Sequence, residues 1–218
     1  MDKRPKLHEP VVLVHGLWLG GWVLGLLAAR VRRCGYDTWI FPYPSMGGSL
    51  SANAANLARF VASLSVPRVH FIGHSMGGLV ILKMLEAHAE LCCGRAVLLG
   101  SPYSGSRSAE TLARAAAGRM ILGHSMMQWL REPRAKPEGY EFGVLAGCRK
   151  VGLGRLLTRL PDPSDGVVLE AETPIPGMTD FICLRVGHSE MLWSRAVAHQ
   201  VCAFLTRGRF DQRGIPRS

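Results

Sequence analysis

The chain has 218 residues, 48% of them hydrophobic and 19% charged. That is long enough to bury one α/β core, and too apolar for a disordered chain. The net charge is +10, from 26 basic and 16 acidic residues. No aromatic-and-basic stripe or helix-turn-helix pattern accompanies it, so nucleic acid is not the expected partner.

Pro10–His15 (PVVLVH) is a short β-branched run and the first predicted strand. Trp22–Arg33 has apolar residues at helical spacing, and Cys34-Gly35 stops it. Tyr36–Phe41 reads as a second strand, Ser49–Leu64 as a helix, and Arg68–Ile72 as a third strand. Met76–Glu90 is the next helix and Ala96–Leu99 the fourth strand. Ala109–Ala117 and Met120–Leu130 both read as helices, with Gly118 between them. Phe142–Ala146 is a fifth strand, Val167–Leu169 and Phe181–Val186 are short β runs, and Ser194–Thr206 is a closing amphipathic helix. Alternating strands and helices imply a mostly parallel sheet covered on both faces. The expected organisation is one α/β domain over 1–218, with 104–140 as a short helical lid insertion and 208–218 as a frayed tail.

No apolar run reaches the ~18 residues of a membrane span. The polar start Met1–Pro10 has no signal-peptide core, which predicts a cytoplasmic location. The six cysteines (Cys34, Cys92, Cys93, Cys148, Cys183 and Cys202) match no zinc or redox spacing. They are expected to be free thiols in a reducing compartment. Residues 101–160 hold ten basic and four acidic groups, a surface that would make weak contact with anionic lipid.

The chemistry-bearing segment is Gly73-His74-Ser75-Met76-Gly77-Gly78, directly behind the apolar run Val69–Ile72. A strand feeding G-x-S-x-G and then an apolar helix reads as a nucleophile elbow. The tight turn demands glycine on either side of the serine, and lifts the serine hydroxyl off the sheet edge. Gly123-His124-Ser125-Met126-Met127 nearly copies it, but lacks the second glycine and the preceding β run.

A serine nucleophile needs a base and an orienting acid, in the chain order Ser…Asp/Glu…His. Asp165 stands at a turn before Gly166-Val167-Val168 and is the favoured acid. Asp162, Asp180, Glu170 and Glu172 are the alternatives. Among eight histidines, His188 follows the last β run and precedes the final helix, where a loop can reach back over Ser75. The backbone N–H groups of Met76 and Leu17 are the expected oxyanion donors. Gly16, Trp18, His74, Met126 and Trp129 are the expected substrate contacts.

With these residues in place the chain resembles the α/β-hydrolase superfamily, in particular its small lipase- and esterase-like members. The matching pieces are His15-Gly16-Leu17-Trp18, Gly73–Gly78, Gly100-Ser101-Pro102, Asp165-Gly166-Val167-Val168 and Gly187-His188-Ser189. The D-G-V-V segment is similar to the one carrying the triad aspartate in bacterial triacylglycerol lipases. The resemblance implies a three-layer α/β-hydrolase fold with a sheet reduced to about six strands and no large cap domain. It implies a Ser-His-Asp esterase or lipase acting on a small-molecule or lipid ester, with no metal and no organic cofactor. A thioesterase, amidase or acyltransferase would share the machinery, and a non-catalytic binding protein would share the fold. Oligomeric state has no signature in the sequence.

Overall fold

A computed structural model describes residues 9–89, 91, 93–134, 138–150, 160–161 and 163–213. The strands are β1 (Pro10–Val14), β2 (Asp37–Phe41), β3 (Val69–His74), β4 (Cys93–Leu99), β5 (Phe142–Gly147) and β6 (Asp180–Leu184). They form a six-stranded sheet in the order β2-β1-β3-β4-β5-β6, with every pairing parallel. β1 and β3 are buried along their whole length. That burial explains why they read as unbroken apolar runs rather than alternating ones.

The helices are α1 (Gly25–Arg33), α2 (Leu50–Ser63), α3 (Met76–Ala87), α4 (Arg107–Ala113), α5 (Ala116–Arg131) and α6 (Arg195–Arg207). One core cluster joins α2, α3 and α5 to one sheet face through Leu57, Leu79, Phe71 and Trp129. A second joins α1 and α6 to the other through Leu27, Ile72, Val201 and Phe204. The sheet thus carries helices on both faces, as expected. Serine caps set three of the helix starts, with Ser106 accepting from Ala109 N–H (3.2 Å) at α4. Ser49 accepts from Ala52 N–H (3.1 Å) and Ser194 from Val197 N–H (3.4 Å), each satisfying one orphan donor.

Several expectations are corrected. Val167–Leu169 is a turn, closed by an isolated antiparallel bridge between Ser164 and Leu169. Its apolar residues are buried because the turn is tucked inward, so the burial signal mimicked a strand. The start of the expected helix at Trp22 is one 3-10 turn, Gly21–Leu24. The tail is packed as far as Asp211, and Gln212 and Arg213 are exposed. Phe210 is buried, its N–H donates to Asp180, and Asp211 N–H donates to Gln200. Residues 214–218 lie outside the described residues.

The thiols are corrected too. Cys34, at the end of α1, is bonded to Cys202 in α6, with Cα atoms 6.3 Å apart. The two helices lie side by side on one sheet face and so bring together residues 168 apart in sequence. Cysteine spacing cannot report such a meeting. Cys148 and Cys183 are free, and Cys92 lies outside the described residues. The cysteine count therefore no longer argues for a reducing compartment. Among the described residues no helix is long and apolar enough to cross a membrane.

The long loop closed by Cys34–Cys202 restricts the unfolded chain strongly, and such bonds contribute roughly 2–4 kcal/mol. Reduction, or the pair Cys34→Ser and Cys202→Ser, is expected to lower the unfolding midpoint while leaving the native far-ultraviolet spectrum unchanged. Denaturant titration of oxidised and reduced protein measures the difference.

Candidate active site

All six strands point their C-terminal ends to one edge of the sheet, and the candidate residues collect there. Val14 of β1 pairs with Gly73 of β3, and His74 pairs with Leu99 of β4. Ser75 follows at once. Its backbone lies at φ 55°, ψ −123°, a strained conformation for a residue with a side chain. Ser75 N–H donates to Leu99 C=O (2.9 Å), and Ser75 C=O accepts from Gly78 N–H (3.0 Å). The turn closes only because its flanks are bare. A Cβ on Gly73 would lie 2.5 Å from the Gly78 Cα. Met76 opens α3, so its N–H belongs to the free donors of a helix N-terminus.

Asp165 lies in the turn that the sequence disguised as a strand. It is almost fully buried. Its Oδ1 accepts from Val167 N–H (2.9 Å) and Val168 N–H (2.8 Å). Its Oδ2 accepts from Nδ1 of His188 at 2.7 Å. A backbone bond runs parallel to that contact, His188 N–H to Asp165 C=O at 3.0 Å. The acid and the imidazole are therefore fastened to each other at two points. With Nδ1 donating to the carboxylate, Nε2 is the nitrogen left to act as a base.

His74 joins this pair to Ser75. Its Nε2 donates to the His188 carbonyl (3.1 Å), and the two rings are centred 4.7 Å apart. It is a buried prop beneath His188 rather than the substrate contact expected of it. Burial, with the neighbouring His188 ring as the next cause, pushes the His74 pKa down to about 3. The ring is thus neutral, with Nδ1 unprotonated. Among the described residues that nitrogen has no hydrogen-bond partner.

The loop after β1 closes the other side. His15 donates from Nδ1 to Gly16 C=O (2.9 Å) and stacks on Tyr43, with ring centres 4.4 Å apart. The Tyr43 hydroxyl donates to His15 C=O (2.8 Å). Burial lowers the His15 pKa and raises that of Tyr43. Gly16 backs directly onto the elbow, because a Cβ there would lie 3.1 Å from the Ser75 Cβ. Leu17 packs against the core, and Trp18 turns outward at φ 60°. Trp18 Nε1 donates to Ile121 C=O of α5 (2.6 Å), bridging loop and insertion.

A family model described as the alpha/beta hydrolase family matches residues 11–212. The chain belongs to the alpha/beta hydrolase family. Solved structures share this hydrolase fold. Bacillus licheniformis lipase BlEst2 in its mature form superposes with a TM-score of 0.78 at 19% identity, over 95% of this chain and 94% of that one. The metagenomic carboxyl esterase MGS0156 gives 0.65 at 23%, over 85% and 68%. A Paleococcus ferrophilus monoacylglycerol lipase gives 0.65 at 17%, over 91% and 94%. Among curated proteins none matches by sequence.

The other candidates in this hydrolase have structural work. Glu172 accepts from Arg107 N–H (2.6 Å) and Leu169 N–H (2.8 Å), holding the start of α4 beside the Asp165 turn. Asp180 accepts from Phe181 and Phe210 N–H. Asp162 lies outside the described residues. Ser125, in the near-copy motif, accepts from Asn53 Nδ2 (2.9 Å) and donates to Gly48 C=O (2.8 Å). Met126 and Trp129, expected to touch substrate, are core residues of α5, and Trp129 packs 6.2 Å from Tyr103. Helical spacing marked the apolar face of α5 without revealing what that face covers. Met120 and Ile121, on the same helix, are the exposed apolar residues. Tyr43 and the propping role of His74 had no sequence signal, since each depends on a distant partner.

The folded state holds His74 neutral, whereas the unfolded chain takes up its proton near 6.5. Below that pH the unfolded state binds more protons, so stability falls as pH drops from 6.5 towards 3. His15 and His70, also lowered by burial, act in the same direction. Unfolding free energies measured from about pH 6 to about pH 4.5 are expected to fall by about 1.4 kcal/mol per pH unit on account of His74 alone. His74→Gln should flatten the slope by that share.

Proposed function

We propose that this hydrolase cleaves carboxylic esters through an acyl-enzyme, with Ser75 as nucleophile, His188 as base and Asp165 as its orienting acid. The observation that carries the reading is the pairing of His188 Nδ1 with Asp165 Oδ2 at 2.7 Å, beside a serine at φ 55°. His188 Nε2 takes the hydroxyl proton while Ser75 Oγ bonds to the ester carbon. The carbonyl oxygen becomes an oxyanion, held by the N–H groups of Met76 and Leu17. The imidazolium then protonates the leaving alkoxide as the C–O bond breaks. Water, deprotonated by the same Nε2, attacks the Ser75 ester and releases the acid.

Asp165 contributes more than charge. Its second oxygen is already committed to two backbone N–H groups, so the carboxylate cannot rotate away from His188. That fixes the tautomer the base needs. The three structural relatives are titled lipase, carboxyl esterase and monoacylglycerol lipase, which supports an ester as substrate. The exposed apolar groups Trp18, Met120 and Ile121, joined by the Trp18–Ile121 hydrogen bond, suit an acyl or alkyl chain.

Ser75→Ala is expected to lower kcat on short aryl esters by about 10⁴- to 10⁶-fold, and Asp165→Asn by about 10⁴-fold. A fluorophosphonate should label the parent protein and not Ser75→Ala. Parent-level turnover by Ser75→Ala would refute the assignment. A panel of ester, thioester and amide substrates on the same preparation ranks the acyl chemistry.

A further inference from the structure

A groove of about 940 Å³ runs between α1 and α6, on the sheet face opposite α2, α3 and α5. Neither Ser75, Asp165 nor His188 lines it. Its charged lining is Arg30, Arg33, Arg195, Arg207, Arg213 and Asp211, alongside His199. Five arginines against one aspartate leave four net positive charges around one concavity. Asp211 is taken up by Arg213, which bonds both of its oxygens at 2.9 Å, and it lies 4.0 Å from Arg207. Among the described residues Arg30, Arg33 and Arg195 have no carboxylate partner.

Folding alone does not account for this arrangement. Neither α1 (GLLAARVRR) nor α6 (RAVAHQVCAFLTR) contains an acidic residue, whereas exposed helices ordinarily intersperse both signs. Arg33 and Arg207 occupy last turns, where a cation complements the helix dipole. Arg195 is the first residue of α6, where that dipole disfavours it. The walls are also fixed, because the Cys34–Cys202 bond joins the two helices within the groove lining. Leu26, Ala198 and the disulfide add an apolar surface between the guanidinium groups.

We propose that this groove is a second binding site, separate from the ester site, for a phosphate ester with an organic body. Guanidinium forks match phosphate oxygens in pairs, and a phosphate ester brings one charge as a diester or close to two as a monoester. The volume falls within the range of small-molecule sites. It exceeds what a bare phosphate would fill, and the apolar surface suits the organic remainder. The phosphate ester is either free or the headgroup of an anionic phospholipid.

Calorimetric titration with ATP tests the free source. Flotation with phosphatidylcholine vesicles, with and without phosphatidylglycerol, tests the membrane source. The test variant is Arg33→Gln with Arg195→Gln. The control is Arg59→Gln with Arg68→Gln, which removes the same charge from exposed positions outside the groove. ATP is expected to bind with a dissociation constant below about 1 mM, or the protein to float only with phosphatidylglycerol. The test variant should weaken that binding by about tenfold or more, and the control by far less. Ester turnover and unfolding midpoint, unchanged in both variants, show that the fold is intact. Saturable ATP binding lost in the test variant identifies a free phosphate ester. Selective loss of vesicle binding identifies the headgroup. Equal weakening in the control, or no binding of either probe, overturns the proposal.

Discussion

The first turn of α3 rests on bare backbone. A Cβ on Gly77 would lie 2.2 Å from the Val14 carbonyl oxygen and 2.5 Å from that of His15. That contact brings the helix N-terminus against the end of β1. The loop leaving β1 therefore starts beside Ser75 rather than a side chain's width away. The start of α3 and the His15–Trp18 loop therefore lie side by side. The rest of the site is arranged around this approach. Any residue with a Cβ at position 77 would force the helix off the strand end and separate the two.

Asp165 and His188 are held by a different principle. No single strand carries them. The Asp165 turn and the His188 loop are linked by a backbone bond and a side-chain bond that close one small ring of contacts. Because Asp165 Oδ1 is saturated by Val167 and Val168, the pair has one geometry. His74 then fixes the height of His188 over the sheet by bonding its carbonyl. That prop depends on burial. Desolvation by burial, and next to it the adjoining His188 ring, hold the His74 pKa down to about 3. The neutral ring is what lets the two tilted rings sit with centres 4.7 Å apart.

Local signals were the legible ones. The six strands of the sheet and the tight turn at Ser75 are encoded by neighbours within a few residues, and they appear in the structure. Chain order and turn chemistry were enough to single out Asp165 and His188, which the fold brings together at 2.7 Å. What failed depended on distant partners. Val167 and Val168 look like strand residues, yet their N–H groups serve a carboxylate two and three positions back. Cys34 and Cys202 meet only because α1 and α6 are neighbours in space. Tyr43 lies beyond the end of β2, and only the fold reveals that its hydroxyl bonds the His15 carbonyl.

The insertion after β4 shows the same divide within one helix. α5 is interrupted at Gly123, whose φ of 67° breaks the helical path, and its two halves differ in attachment. Beyond the break, Ser125 is bonded to Asn53 and Gly48, Gln128 is bonded to Ser51, and Met126 and Trp129 are in the core. Before it, Met120 and Ile121 are exposed, and a bond from Trp18 reaches the Ile121 carbonyl. Moving 104–140 as one lid would strip the Ser125–Asn53 pair of its partners, at about 1–3 kcal/mol per buried polar group. It would also expose Trp129, with a comparable or larger loss of apolar burial. The half beyond Gly123 is therefore tied to the scaffold, whereas the exposed residues before it are joined to the loop after β1 by the Trp18 contact.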